Sequence, residues 1–261
     1  MKSITLDYSK TLDFLTEEEI LNLSGQVAVL TGAGGGIGRA AAEKLAQEKM
    51  KIVLLGGNRL EKLEETRSLV MQYTDCLMLP GDLTDQAFLD EGVARVIQQY
   101  GRTDVLINNA GMALNCSFED VSEDQFDKIM KINVKAPYFL TQKLIPSLKK
   151  SNSATIINIS SVVGHAGYPF QSAYTASKHA LLGFTKSLAS EYYQAGIRVH
   201  AICPGGVYTD MVKIARPDLT DEGMILPEDI ADIIYFFLAH RGNAVVDEII
   251  VHRVNKEPFL V

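Results

Sequence analysis

A chain of 261 residues, 47% apolar and 22% charged, has the size and composition to bury the core of one large α/β domain. Its net charge of −7 argues against a nucleic-acid surface, which needs a basic face, and no apolar run approaches the roughly 20 residues of a membrane span. Three scattered cysteines without a C-x-x-C, five histidines without an H-E-x-x-H, and no apolar leader in Met1–Gly25 point to a cytoplasmic protein with neither a disulfide framework nor a metal motif.

Residues 1–24 read as an extension, with residues 25–261 forming the single domain. In the extension, Thr16 and Glu19 have capping-box spacing and Leu15 is placed to staple onto Ile20, so a short helix is expected. Gln26–Thr31 is a buried strand, Ile37–Glu48 a helix, Lys51–Leu55 a strand and Leu60–Gln72 a helix. Cys76–Pro80 is a short strand, Asp85–Tyr100 a helix and Asp104–Asn108 a strand. One long helix is expected from Glu123 to Lys149, with Ser122 and Gln125 at capping-box spacing and Val121 placed to staple onto Phe126. Strands follow at Ala154–Ser160, Ile197–Ile202 and Asp247–Val254, with helices near Tyr174–Gln194 and Pro227–Ala239. Repeated strand–helix units imply parallel strands joined by right-handed crossovers, hence a doubly wound α/β sheet with helices on both faces.

Directly after the first strand comes Thr31-Gly32-Ala33-Gly34-Gly35-Gly36-Ile37-Gly38, and then a helix. A pyrophosphate needs backbone N–H groups at a helix N-terminus, and a Cβ there would hold it off. Gly38 would let the helix pack closely on the sheet. Together with the motifs that follow, this segment resembles the short-chain dehydrogenase/reductase family. Thr31, Gly32, Gly36 and Gly38 fit T-G-x-x-x-G-x-G. Gly32, Gly35 and Gly38 equally fit the T-G-x-x-G-x-x-G of the family's longer branch, with its epimerases and dehydratases. Chain length favours the shorter branch.

The resemblance implies roles for further residues at strand ends. Asp82, beside Leu83, would bond the adenine amino group. Asn109, Ala110 and Gly111 follow Asn108 in an N-N-A-G that would line the cofactor. Pro204, Gly205, Val207 and Thr209 match the P-G-x-V-x-T that would hold the nicotinamide amide. An acidic residue after the second strand would bond a ribose 2′-hydroxyl, but this chain has Gly56-Gly57-Asn58-Arg59 there. Arg59, helped by Arg39, would pair with a 2′-phosphate, which favours NADP(H), with NAD(H) the alternative.

Tyr174 and Lys178 form Y-x-x-x-K, a spacing that puts both on one helix face. A nearby ammonium and the cationic ring of an oxidised nicotinamide would acidify the phenol, fitting Tyr174 for proton transfer to a carbonyl or from an alcohol. Ser161, thirteen residues upstream, would polarise that carbonyl; Ser160 is the competitor, and the family's spacing selects Ser161. Asn133 matches the family's helix asparagine beside a proton-relay water, and could equally satisfy a helix kink. The expected function is therefore an NAD(P)-dependent oxidoreductase acting on a ketone, sugar or 3-oxoacyl substrate. An epimerase or dehydratase and a non-enzymatic cofactor sensor are the alternatives. The resemblance further implies strand order 3-2-1-4-5-6-7 and a homodimer or homotetramer paired through the helices at 123–149 and 174–194. A lid is expected at about 208–226, and His165, Tyr168 and Phe170 are expected to wall the pocket.

Overall fold

The computed structural model describes residues 21–257 except 211 and 213–219, so the expected helix near Thr16 and the middle of the lid lie outside the described residues. Seven strands form one parallel sheet: β1 (Val27–Thr31), β2 (Lys51–Leu55), β3 (Cys76–Leu79), β4 (Val105–Asn108), β5 (Thr155–Ile159), β6 (Arg198–Pro204) and β7 (Glu248–Val251). Their order is β3-β2-β1-β4-β5-β6-β7, as expected. The register places Val29 between Val53 and Leu106, and Ile157 between Ile107 and His200. Strands covered on both faces have no solvated side to show, which is why VAVLT and KIVLL are nearly all apolar, while the buried Asn158 within TIINI is satisfied by Asn108 and Thr185.

The helices are α1 (Gly36–Gln47), α2 (Leu60–Val70), α3 (Gln86–Tyr100), α4 (Glu123–Met130), α5 (Ala136–Leu148), α6 (Ser172–Tyr192) and α7 (Pro227–Ala239). One apolar core joins α1, α2 and α7 to one face of the sheet through residues such as Leu30, Leu45, Ile202 and Ile234. A second fills the opposite face under α3, α5 and α6, around Val29, Leu89, Leu106, Leu144 and Leu188. Asp85 caps α3 by accepting from the Ala87 N–H at 2.9 Å, and Gly101 closes it at φ 72°. Leu21 N–H bonds to Ala239 O at 2.8 Å, tying the start of the described chain to the end of α7.

The long helix expected over 123–149 is interrupted. Its capping box at Ser122 and Gln125 is present, but Lys131–Lys135 forms a π-turn in which Ala136 N–H bonds back to Lys131 O. Pro137 sits in the first turn of α5; it lacks the N–H that would bond to Asn133 O, so an extra residue enters the turn at little cost. The last strand is also shorter than expected. It ends at Val251, and the chain leaves it in turns by Val254.

Candidate active site

The C-terminal ends of the strands open into a cleft of about 470 Å³ at the point where the order reverses between β1 and β4. The Gly-rich turn forms one wall. Asn109 props it from behind: its Nδ2 donates to Thr31 O and to Gly32 O, both at 3.1 Å, while Thr31 Oγ1 accepts from the N–H groups of Asn109 and Ala110. Gly32 has φ +68°, and a Cβ there would stand 2.7 Å from Ala110 Cα. Gly36, at φ +51°, faces Thr209 Cγ2 at 2.8 Å from where a Cβ would lie. Gly32, Gly34, Gly35, Gly36 and Ile37 all border the cleft. Gly38 does not. It lies beneath the turn, where a Cβ would be 2.4 Å from Gly32 O, which fits the close packing of helix on sheet expected of it.

Arg59, Asp82, Leu83, Ala110, Gly111, Pro204, Gly205, Val207 and Thr209 border the same cleft. Asp82 Oδ1 accepts from the Thr84 N–H and hydroxyl at 2.8 and 2.9 Å, which fixes the carboxylate at the cleft edge. Leu83 is buried against Gly56, whose Cβ would collide with it at 2.5 Å. Arg59 is exposed at the start of α2. Arg39 is not available to help it. Its guanidinium donates to Thr66 Oγ1, Gly34 O and Lys62 O and pairs with Glu65 at 2.7 Å, clamping α1 to α2.

At the floor of the cleft stand Ser161, Tyr174 and Lys178. Ser161 lies just after β5 and caps the short turn Val162–Gly164, with its Oγ 3.3 Å from Pro204 O. Burial pushes the Tyr174 phenol above its ordinary value of 10.0, and a hydrogen bond with Ser161 pulls the other way. The acidified phenol expected from sequence is thus not what the chain's own groups produce, because desolvation of the phenolate outweighs them. Lys178 is buried, its Nζ donates to Ile159 O at 2.8 Å and lies 5.8 Å from the Tyr174 ring centre; burial brings it down to about 8. Ser160 also borders the cleft, but its Oγ donates to Lys178 O at 3.3 Å. The structure thereby separates the two serines: only Ser161 reaches the phenol.

Asn133 occupies the π-turn and does not border the cleft. Its Oδ1 accepts from Met112 N–H at 2.8 Å, and its Nδ2 donates to Met112 O and Ser177 Oγ, both at 2.9 Å. The side chain thus bonds no backbone group of the π-turn itself but ties the turn to α6 and to the segment after Gly111. His165, expected in the pocket wall, is exposed and paired with Glu248 instead. Tyr168 and Phe170 are exposed and do not border the cleft; their loop is laced to the 115–116 segment by Cys116 N–H to Phe170 O and Gln171 Nε2 to Asn115 Oδ1. Met112, Ile132, Ile159, Gly206 and Asp210 also line the cleft and were not singled out from sequence. Each adjoins a strand-end motif or a site residue, which is the signal that would have found them.

The sequence profile of the short chain dehydrogenase family matches residues 26–220. The chain belongs to that family. An uncharacterized oxidoreductase of Thermotoga maritima is 39% identical over 71% of this chain and 73% of its own. From the same organism, a 3-oxoacyl-[acyl-carrier-protein] reductase is 32% identical over 88% of this chain and 97% of its own. Among solved structures, levodione reductase superposes with a TM-score of 0.80 at 29% identity, covering 88% of this chain and 96% of its own. A metagenomic short-chain oxidoreductase in complex with NADP gives 0.78 at 32% identity, covering 90% and 100%. This short-chain dehydrogenase is an oxidoreductase on the strength of those matches. No described helix is long and apolar enough to cross a membrane.

Proposed function

We propose that the chain is an NADP(H)-preferring reductase of ketone, sugar or 3-oxoacyl carbonyls, with Tyr174 as the proton donor. The observation that carries this is the meeting of Ser161, Tyr174 and Lys178 at one end of a cleft whose other end is a wall of glycines. Gly35 and Gly36 keep side chains out of the cradle a pyrophosphate would fill, so the residues fit a dinucleotide. NADP(H), when bound there, supplies the hydride. The remaining chemistry is the chain's own. Ser161 Oγ–H donates to the carbonyl oxygen, and Tyr174 Oη hands its proton to the same atom. A phenol held above 10 keeps that proton at neutral pH, which suits the reducing direction. Lys178, still an ammonium below about pH 8, stabilises the phenolate left behind. Two comparisons are named as reductases, which agrees with this direction.

For the cofactor, Gly57, Asn58 and Arg59 border the cleft after β2 and supply no carboxylate to repel a 2′-phosphate. Arg59 alone is the phosphate partner, since Arg39 is engaged elsewhere. The exposed Phe126 and Tyr138, at 42% and 45% accessibility, support pairing of α4 and α5 with a second copy in a homodimer or homotetramer.

The test is NADPH and NADH oxidation against ketones, sugars and acyl thioesters, with Tyr174→Phe and Arg59→Ala in parallel. Tyr174→Phe is expected to lower kcat by about 10²–10⁴-fold. Arg59→Ala should raise the KM for NADPH about tenfold, one lost charge-assisted pairing, and leave that for NADH unchanged. Full activity in Tyr174→Phe, or an NADH preference in the native chain, overturns the corresponding part of the reading.

A further inference from the structure

No spacing in the sequence marks a metal site, yet the fold gathers three ligand types from distant positions. His165 follows the turn after Ser161, Cys203 lies on β6 just before Pro204, and Glu248 opens β7. One donor atom from each lies within 4.8 Å of the others. Cys203 Sγ–H donates to Glu248 Oε1 at 3.1 Å, and His165 Nε2 pairs with the same oxygen. Lys186 Nζ stands 4.0 Å from Glu248 Oε2 and is mostly exposed.

A reactive-thiol reading of this cluster fails on burial. Cys203 is wholly buried and its thiol is pushed up to about 12, first by burial and then by Glu248. Such a thiol keeps its proton and is shielded from a substrate, so it is no nucleophile by itself; a cation held by the solvent-bordering His165 and by Glu248 would supply the charge that displaces the proton. The donor set of one imidazole nitrogen, one sulfur and one carboxylate oxygen is instead that of a tetrahedral zinc-type ion. His165 borders solvent and gives the ion its way in.

We propose that His165, Cys203 and Glu248 form a binding site for a zinc-class divalent cation, with water as fourth ligand. As the metal–sulfur bond forms, the Cys203 proton leaves to solvent. Glu248 Oε1 exchanges its two hydrogen bonds for the metal, and His165 swings outward to make room. A dication, a thiolate, a carboxylate and a neutral imidazole sum to zero, so binding with loss of one proton turns a site of charge −1 into a neutral one near the buried Lys178. The Ser160 side chain and Ser161 backbone both reach the Cys203 sulfur. The ion would therefore pin β6 and β7 to the segment that carries Ser161.

Cobalt(II) titration of the intact protein tests this. The expected result is one equivalent bound, a thiolate-to-cobalt charge-transfer band, one proton released per ion, and displacement by zinc. Cys203→Ser should abolish the band, Cys116→Ser should keep it, and His165→Ala, at an exposed position, should weaken affinity at least about tenfold. No thiolate band, a band that survives Cys203→Ser, or an unchanged affinity in His165→Ala would overturn the site. If Cys203→Ser does not fold, the His165→Ala affinity and the proton count decide alone.

Discussion

Lys178 holds its Nζ against the main-chain oxygen of Ile159 at 2.8 Å, inside the protein and with no carboxylate paired to it among the described residues. Desolvation is the leading reason its value falls from 10.5 to about 8. Between those two values the unfolded chain keeps a proton that the folded chain sheds. Stability therefore rises with pH from about 8 to 10.5, and the full penalty of the buried charge is present below 8.

Lys178→Met should remove that penalty. The shift corresponds to on the order of 3 kcal/mol, offset by about 1 kcal/mol for the donor lost to Ile159 O. The variant is expected to be inactive yet about 2 kcal/mol more stable at neutral pH. Denaturant unfolding at several pH values checks this: the native chain gains stability across the window and the variant does not. Equal slopes would show that the ammonium is not paying a burial cost.

Two neighbouring glycines should behave oppositely. A Cβ on Gly38 would lie 2.4 Å from Gly32 O and 2.6 Å from Asn109 Nδ2, both in the rigid frame of the turn. Gly38→Ala should cost about 1–3 kcal/mol through overpacking. A Cβ on Gly35 meets nothing within 4 Å and would point into open cleft. Gly35→Ala should leave the melting temperature within a degree or two, about what an isolated surface change costs, while raising the dinucleotide Kd. If Gly35→Ala melts early or Gly38→Ala does not, the division between cradle and packing fails.

The pattern of these residues explains what could be read in advance. Parallel strands such as Val27–Thr31 and Lys51–Leu55 are covered on both faces and so are mostly apolar, which made all seven strands and their crossovers legible. The Gly-rich turn and Y-x-x-x-K were legible because backbone approach and one-face spacing demand particular residues at fixed intervals. Features set by packing between distant segments were not. The π-turn at Asn133 shifts the helix by one residue and leaves its apolar periodicity nearly intact. Arg39 carries a charge that suits a phosphate, and only the packing of α1 on α2 shows that Glu65 takes it. His165 lies in the catalytic stretch of sequence, but its partner Glu248 is 83 residues away.

Asn133 offers a separation of structure from catalysis. Its three hydrogen bonds join Met112, the π-turn and Ser177. Asn133→Ala strands the Met112 groups and should cost about 1–3 kcal/mol. A role confined to the kink predicts that kcat returns when the variant is assayed at a temperature where it is fully folded. A role beside the lysine predicts a kcat deficit that persists there, with KM for the dinucleotide little changed. Circular dichroism and steady-state kinetics on one preparation distinguish the two.

On the acid side, His200 should set the first loss of stability. It is 2% exposed, stacked on Phe237 at 4.3 Å, and its Nδ1–H donates to Val246 O at 2.7 Å. Nε2 is buried without a partner among the described residues. Protonation would place a bare N–H there, and burial accordingly brings the imidazole down to about 4 from 6.5. In that interval the unfolded chain binds the proton and the folded chain refuses it. Stability from this group is whole above pH 6.5 and is lost as pH falls towards 4, by up to on the order of 3 kcal/mol. His200→Gln, which cannot titrate, should be less stable at pH 7 but show a shallower decline over the same interval. Parallel declines in the two proteins would mean that the acid transition is governed by carboxylates elsewhere.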